Sequence, residues 1–128
     1  MFRHLDLFSG IGGNALAVEM VWPNAVHSFV EIDPFCQAIL RKHWPTAQIH
    51  DDIKTFVGPP PVARPDILTG GFPCQPFSAA GKRRGTEDDR HLWPEMLRVI
   101  QQTRPRWVLA ENVAGIISME LHTVLADL

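Results

Sequence analysis

Strand-like apolar runs alternate with helix-like stretches along the whole chain, and that alternation restricts the fold more than any other feature. His4 to Phe8 is a short apolar run ending at Ser9-Gly10-Ile11-Gly12-Gly13, and a helix-like stretch follows from Asn14 to Met20. Val26 to Ile32 reads as a second strand, after which Asp33-Pro34 caps and opens a helix to about His43. Ala47 to Ile49 is a third, short strand. Gly58-Pro59-Pro60-Pro61 can be neither helix nor central strand and is expected to be a surface connection. Asp66 to Thr69 is a fourth strand. The helical pattern from Asp89 to Thr103 contains Pro94, so the helix proper is expected to begin near Leu92 or Trp93. Trp107 to Ala110 is a fifth strand, and Leu121 to Leu128 opens one more helix. Strands alternating with helices predict an α/β fold, a parallel sheet with helices on both faces.

A chain of 128 residues is one domain at most, with enough apolar content (45%) for a core. Five strands are few for a doubly wound sheet with a bound ligand, and the pattern runs out inside a helix, so residues 1–128 are expected to be an incomplete domain. No apolar run is long enough to span a bilayer, and Met1-Phe2-Arg3-His4 has no signal-peptide architecture, which makes the cytoplasm the default address. Two cysteines, Cys36 and Cys74, make no disulfide framework. Six scattered histidines and no C-x-x-C pair predict no metal site. The net charge of -2 gives no whole-chain support for nucleic-acid binding. Lys82-Arg83-Arg84 is the one concentrated positive cluster, and its bland reading is a solvated loop.

In an open parallel sheet, ligands sit at the carboxyl ends of the strands. After the first strand, Gly10 and Gly12 let the backbone turn tightly and approach a ligand. Glu31, at the end of the second strand, stands at about the spacing, roughly 20 residues beyond the first glycine, where an acid meets a ribose hydroxyl pair. Together they suggest an adenosine-containing cofactor; the alternative is a tight strand-to-helix turn and a solvated glutamate. Ala15 replaces the third glycine of the dinucleotide fingerprint, so a pyrophosphate is not demanded. Cys74, on a loop stiffened by Pro73 and Pro76 after the fourth strand, is a candidate nucleophile, given a pKa lowered from about 8.5. Glu111, at what reads as a buried strand end, could hold or donate a proton. Cys36, inside a helix pattern, is assigned to the core.

Asp6-Leu7-Phe8-Ser9-Gly10-Ile11-Gly12-Gly13, Glu31-Ile32-Asp33, Gly71-Phe72-Pro73-Cys74-Gln75-Pro76-Phe77-Ser78 and Glu111-Asn112-Val113 resemble, in order and spacing, the early motifs of the DNA (cytosine-5)-methyltransferases. The resemblance implies a Rossmann-like S-adenosylmethionine-dependent methyltransferase fold, here its first five strands, and a role in DNA methylation of the restriction-modification kind. It implies that Phe8, Gly10 and Gly12 shape the S-adenosylmethionine pocket, that Glu31 binds the ribose hydroxyls, and that Ile32 packs on adenine. Asp52 and Ile53 look like the adenine-contacting acid and its apolar neighbour, with Asp51 beside them. Cys74 would attack C6 of a cytosine flipped out of double-stranded DNA, Glu111 would contact the ring at N3 and its exocyclic amine, and Asn112 would order the cysteine loop. Gln75, Ser78, Lys82, Arg83 and Arg84 would face the DNA, with Gly81 to Gly85 as the closing segment.

The later arginine-containing motif, the target-recognition region and the final helix of the family pattern have no counterpart here. Three explanations stay open: a truncated gene, a fragment, or one half of a split enzyme whose second chain carries the rest. A catalytically silent remnant that binds cofactor or DNA is the competing reading. A dinucleotide-dependent oxidoreductase fragment rests on the glycine turn and Glu31 alone.

Overall fold

The computed structural model describes residues 1–60, 63–73 and 92–128. Five parallel strands form one sheet in the order β3-β2-β1-β4-β5: β1 (Arg3–Leu7), β2 (Val26–Val30), β3 (Gln48–His50), β4 (Ile67–Gly70) and β5 (Trp107–Ala110). The helices are α1 (Gly13–Val21), α2 (Pro34–His43), α3 (Trp93–Thr103), the short α4 (Ile116–Met119) and α5 (Leu121–Asp127). The strand-helix alternation of the sequence is therefore the chain's architecture. The switch point falls where β1 lies beside β4, with β2 and β3 on the other side.

Register aligns the strand ends. Leu7 pairs with Val30 and with Gly70, Val30 with His50, and Gly70 with Ala110. Each strand's next residue, Phe8, Glu31, Asp51, Gly71 and Glu111, therefore follows a pairing at one common level.

Two cores flank the sheet. Leu5, Leu7, Val30 and Leu68 pack on one face with Met96 and Val99 of α3 and Val124 of α5. Trp93 Nε1 donates to Asp127 Oδ2 at 3.0 Å and ties α3 to α5. On the other face Phe29 packs with Ala15 of α1, Leu40 of α2 and Trp44. The strand period of two explains the division, because Leu5 and Leu7 face one way and His4 and Asp6 the other.

Local chemistry sets the element ends. Asp33 Oδ1 accepts from the N–H of Phe35 (2.7 Å) and of Cys36 (3.4 Å), and Pro34 opens the helix. β1 stops at Leu7 because Phe8 turns to a left-handed φ of 56°, one residue before the expected end.

Two expectations need correction. Glu111 is exposed, not buried, because β5 is an edge strand with a single neighbour and every one of its residues is exposed. Trp107 is 71% and Leu109 57% accessible. Cys36 is half-buried and lies outside both cores. The helical rotation turns Gln37 and Leu40 inward instead, and Gln37 Nε2 donates to Glu31 O at 2.7 Å. The short helix α4 has no forerunner in the sequence reading.

Candidate cofactor pocket and catalytic edge

A cavity of ≈ 420 Å³ opens beyond the ends of β1 and β2. That volume lies within the usual range of small-molecule sites. Phe8, Ile32, Ile53, Pro73 and Leu92 supply apolar wall, and Glu31, Asp51 and Asp52 supply carboxylates. Phe8 holds a left-handed backbone, costing about 1–2 kcal/mol, that persists only where packing over-determines it. Its ring packs on the main core.

Glu31 is the best-fixed acid here. One carboxylate oxygen accepts the Gly10 N–H at 2.6 Å and the other the Asp33 N–H at 2.8 Å. A carboxylate has about four acceptor positions, so two such bonds leave capacity for a ligand's hydroxyls. Ile32, next in the chain, stays 73% exposed at the cavity wall, an apolar platform without a protein partner large enough to cover it.

The far wall hangs on one side chain that sequence reasoning missed. Arg98 of α3 donates from Nη2 to Ile53 O (2.6 Å) and from Nη1 to Phe56 O (2.9 Å), while Glu95 pairs with its Nε at 2.8 Å. Two backbone carbonyls are thereby fixed by one planar fork. Within the wall, Asp52 Oδ1 accepts the Lys54 N–H at 2.9 Å. Nothing in the local sequence separates Arg98 from a solvated helix arginine; the signal is tertiary.

The two glycines of the first turn differ. Gly10 (φ +54°) has open space where a Cβ would stand and gives its N–H to Glu31. Neither glycine is among the residues lining the cavity, and at Gly12 (φ +92°) a Cβ would overlap the ring of Trp44. Gly12 is where α1 closes on α2 and Trp44.

At the β4–β5 edge a second group assembles. Glu111 N–H donates to Gly70 O at 3.0 Å, and a Cβ on Gly71 would strike the Glu111 carboxylate. Asn112 Nδ2 donates to Phe72 O at 3.3 Å, and Asn112 Oδ1 accepts the Val113 N–H at 2.8 Å. Glu111 and Asn112 thus lie against the strand that leads into Pro73, and Pro73 itself lines the cofactor-sized cavity. Cys74, Gln75, Ser78, Lys82, Arg83 and Arg84 lie outside the described residues.

Residues 2–128 match the family model for the C-5 cytosine-specific DNA methylase. The chain belongs to that family. Among curated relatives, it is 38% identical over 117 residues to Type II methyltransferase M.HgiBI of Herpetosiphon aurantiacus, covering 91% of this chain and 26% of that protein. It is 44% identical over 114 residues to Type II methyltransferase M.PspPI of Psychrobacter sp. (strain TA137), covering 88% and 27%. To Type II methyltransferase M.HhaI of Haemophilus parahaemolyticus it is 37% identical, covering 91% and 35%. The chain thus spans about a quarter to a third of these relatives' length. A Spodoptera frugiperda DNMT2 mutant structure superposes with a TM-score of 0.73 at 22% identity, over 99% of this chain and 40% of that one. SAM-bound CalS10, an amino pentose methyltransferase from Micromonospora echinaspora, gives 0.55 at 20% identity, over 88% and 43%. These likenesses establish the Rossmann-like methyltransferase fold. Among the described residues no helix is long and apolar enough to cross a membrane, and no group of three or more His, Cys, Asp or Glu is placed to hold a metal.

Proposed function

We propose that this chain is the cofactor-binding and nucleophile-bearing part of an enzyme that transfers a methyl group from S-adenosylmethionine to C5 of cytosine in DNA. The observation that carries the reading is Glu31, oriented by the N–H groups of Gly10 and Asp33 at the rim of a cavity with the exposed Ile32 beside it. That arrangement suits an adenosyl group: hydroxyls to the carboxylate, a purine on the apolar wall of Ile32, Ile53 and Phe8, an exocyclic amine toward Asp52. S-adenosylmethionine, when bound, supplies an electrophilic methyl group.

The chain's own residues then divide the labour. Cys74, as thiolate, would bond to C6 of a flipped cytosine and make C5 nucleophilic. Glu111 would share a proton at N3 while that bond forms. Asn112, through its bond to Phe72 O, would fix the approach of the cysteine loop. Gln75, Ser78, Lys82, Arg83 and Arg84 would contact the DNA, the cations through phosphates.

The bare edge of β5 bears on partners. Trp107, Val108 and Leu109 are exposed beside a strand edge that pairs with no other strand among the described residues. The elements that the relatives carry beyond the matched quarter to third would dock there, in the same polypeptide or on a second chain, and bring the target-recognition part. The test is to join or mix those elements with this chain and offer duplex DNA containing 5-fluorocytosine. A covalent adduct that Cys74→Ala abolishes supports the reading, and an adduct surviving Cys74→Ala rejects it. S-adenosylmethionine binding with no adduct under any complementation supports the silent-remnant reading instead.

A further inference from the structure

Beneath α1 a line of buried polar groups crosses three strands and takes no part in the proposed chemistry. Asp6, His4, Thr69 and His27 are all buried. Thr69 Oγ1 lies 2.5 Å from Asp6 Oδ1, His4 Nε2 lies 2.8 Å from Thr69 Oγ1, and His4 Nδ1 lies 2.8 Å from His27 Nδ1. His27 Nε2 ends the line 3.3 Å from Glu19 Oε1, which is partly exposed and also accepts the Trp44 Nε1–H at 2.7 Å. α1 touches both ends, because Asn14 Nδ2 donates to Asp6 Oδ1 at 3.1 Å and Glu19 sits at His27.

Two ring nitrogens facing each other at 2.8 Å admit one hydrogen between them, so each link dictates the next. We propose that Asp6, Thr69, His4 and His27 form one proton relay that titrates as a unit and swaps the tautomers of both imidazoles together. With the extra proton, Asp6 O–H donates to Thr69, Thr69 O–H to His4 Nε2, His4 Nδ1–H to His27 Nδ1, and His27 Nε2–H to the Glu19 carboxylate. Without it every link reverses: Thr69 donates to ionised Asp6, His4 Nε2–H to Thr69, and His27 Nδ1–H to His4. The difference is one proton, and both rings are neutral in each state. In the deprotonated state the bare His27 Nε2 faces the Glu19 carboxylate, lone pair against lone pair.

Burial favours this neutral bookkeeping of charge. Asp6 is raised to about 6, first by desolvation, with the Glu31 charge adding to it against hydrogen bonds from Thr69, Asn14 and Ser9. His4 is lowered to about 3 by desolvation and by His27. His27 is lowered by desolvation, against the raising influence of Glu19. Asp6 Oδ2 has no hydrogen-bond partner among the described residues, as expected at the end of a line that must reorganise.

The test is long-range ¹H–¹⁵N correlation of the imidazole rings from pH 5 to 8, with His4 and His27 assigned by single substitution. The expected result is one shared midpoint near 6, at which His4 passes from the Nδ1–H to the Nε2–H form and His27 passes oppositely, neither becoming imidazolium. Thr69→Val should uncouple the two rings from Asp6 and remove the shared midpoint, while Thr69→Ser retains it. Asp6→Asn, should Thr69→Val fail to fold, should fix one tautomer pair across the range. A single unchanging tautomer in either ring of the wild type, separate midpoints, an imidazolium at His4 above pH 5, or a shared midpoint persisting in Thr69→Val overturns the proposal.

Discussion

Gly12→Ala should be far more damaging than Gly10→Ala, although both glycines have positive φ within one turn. At Gly10 the added methyl meets nothing, so only left-handed backbone strain applies, about 1–2 kcal/mol. Reduced freedom of the unfolded chain offsets about 0.4–1 kcal/mol of that, leaving roughly 1 kcal/mol. At Gly12 the methyl also lands inside the Trp44 ring, and Leu40 Cδ2 lies only 3.1 Å away. Overpacking of this kind adds about 1–3 kcal/mol, for a net of roughly 2–4 kcal/mol. A domain of this size has only about 5–15 kcal/mol in total. With a urea slope near 2 kcal/mol/M, the midpoint should fall by about 1–2 M, against about 0.5 M for Gly10→Ala. The Trp44→Phe background removes the outer ring atoms that the methyl would strike. There the Gly12→Ala effect should shrink to about 1 kcal/mol, a coupling of about 1–3 kcal/mol. Circular dichroism follows all four proteins. Equal effects at the two glycines, or an unchanged Gly12→Ala effect beside Phe at position 44, would refute the packing argument.

Three further outcomes follow from the same structure. Arg98→Ala should weaken S-adenosylmethionine binding about tenfold while lowering stability by about 1–2 kcal/mol, since its bonds to the Ile53 and Phe56 carbonyls are partly solvent-exposed. Calorimetry and urea melts measure the two, and Arg98→Lys should recover neither in full. Stability should rise with pH between about 4 and 6.5. His4 and His27, both lowered by folding, take up protons on unfolding, while Asp6, raised to about 6, holds one more tightly when folded. The His4 and Asp6 protons roughly cancel, so the proton taken up by His27 sets the upward slope, and replacing both histidines by Leu should flatten or invert it. Leu109→Lys on β5 should leave the chain's own urea midpoint within about 0.5 kcal/mol, since the site is exposed. It should nonetheless abolish complementation, in the adduct assay, by the elements that the relatives carry beyond the matched part.

What could be read from the sequence follows the range of the interactions. Strands β1 and β2 were legible because a turn or helix signal follows each: the glycine turn after β1, and Asp33, the N-cap whose carboxylate opens α2. Glu31 and its exposed neighbour Ile32 were legible because they follow a strand directly. Contacts between distant segments were not. The sequence gives Gly10 and Gly12 one role, and only Trp44, folded back over α1, separates them. Arg98 shows the same gap, its partners lying 42 and 45 residues away. Glu111 was misplaced as buried because an apolar strand looks alike at a sheet's centre and at its edge; what differs is the neighbour. His4 and His27 look like scattered histidines in the sequence, since their pairing exists only through the β1–β2 register.

Calorimetric titration with S-adenosylmethionine, of the wild type and of Glu31→Ala, tests the central claim most directly. One site is expected in the wild type. Its affinity should fall at least tenfold in a Glu31→Ala protein that remains folded by circular dichroism, and NAD should give no comparable heat. Binding of NAD tighter than that of S-adenosylmethionine, or S-adenosylmethionine binding indifferent to the loss of the Glu31 carboxylate, would contradict it.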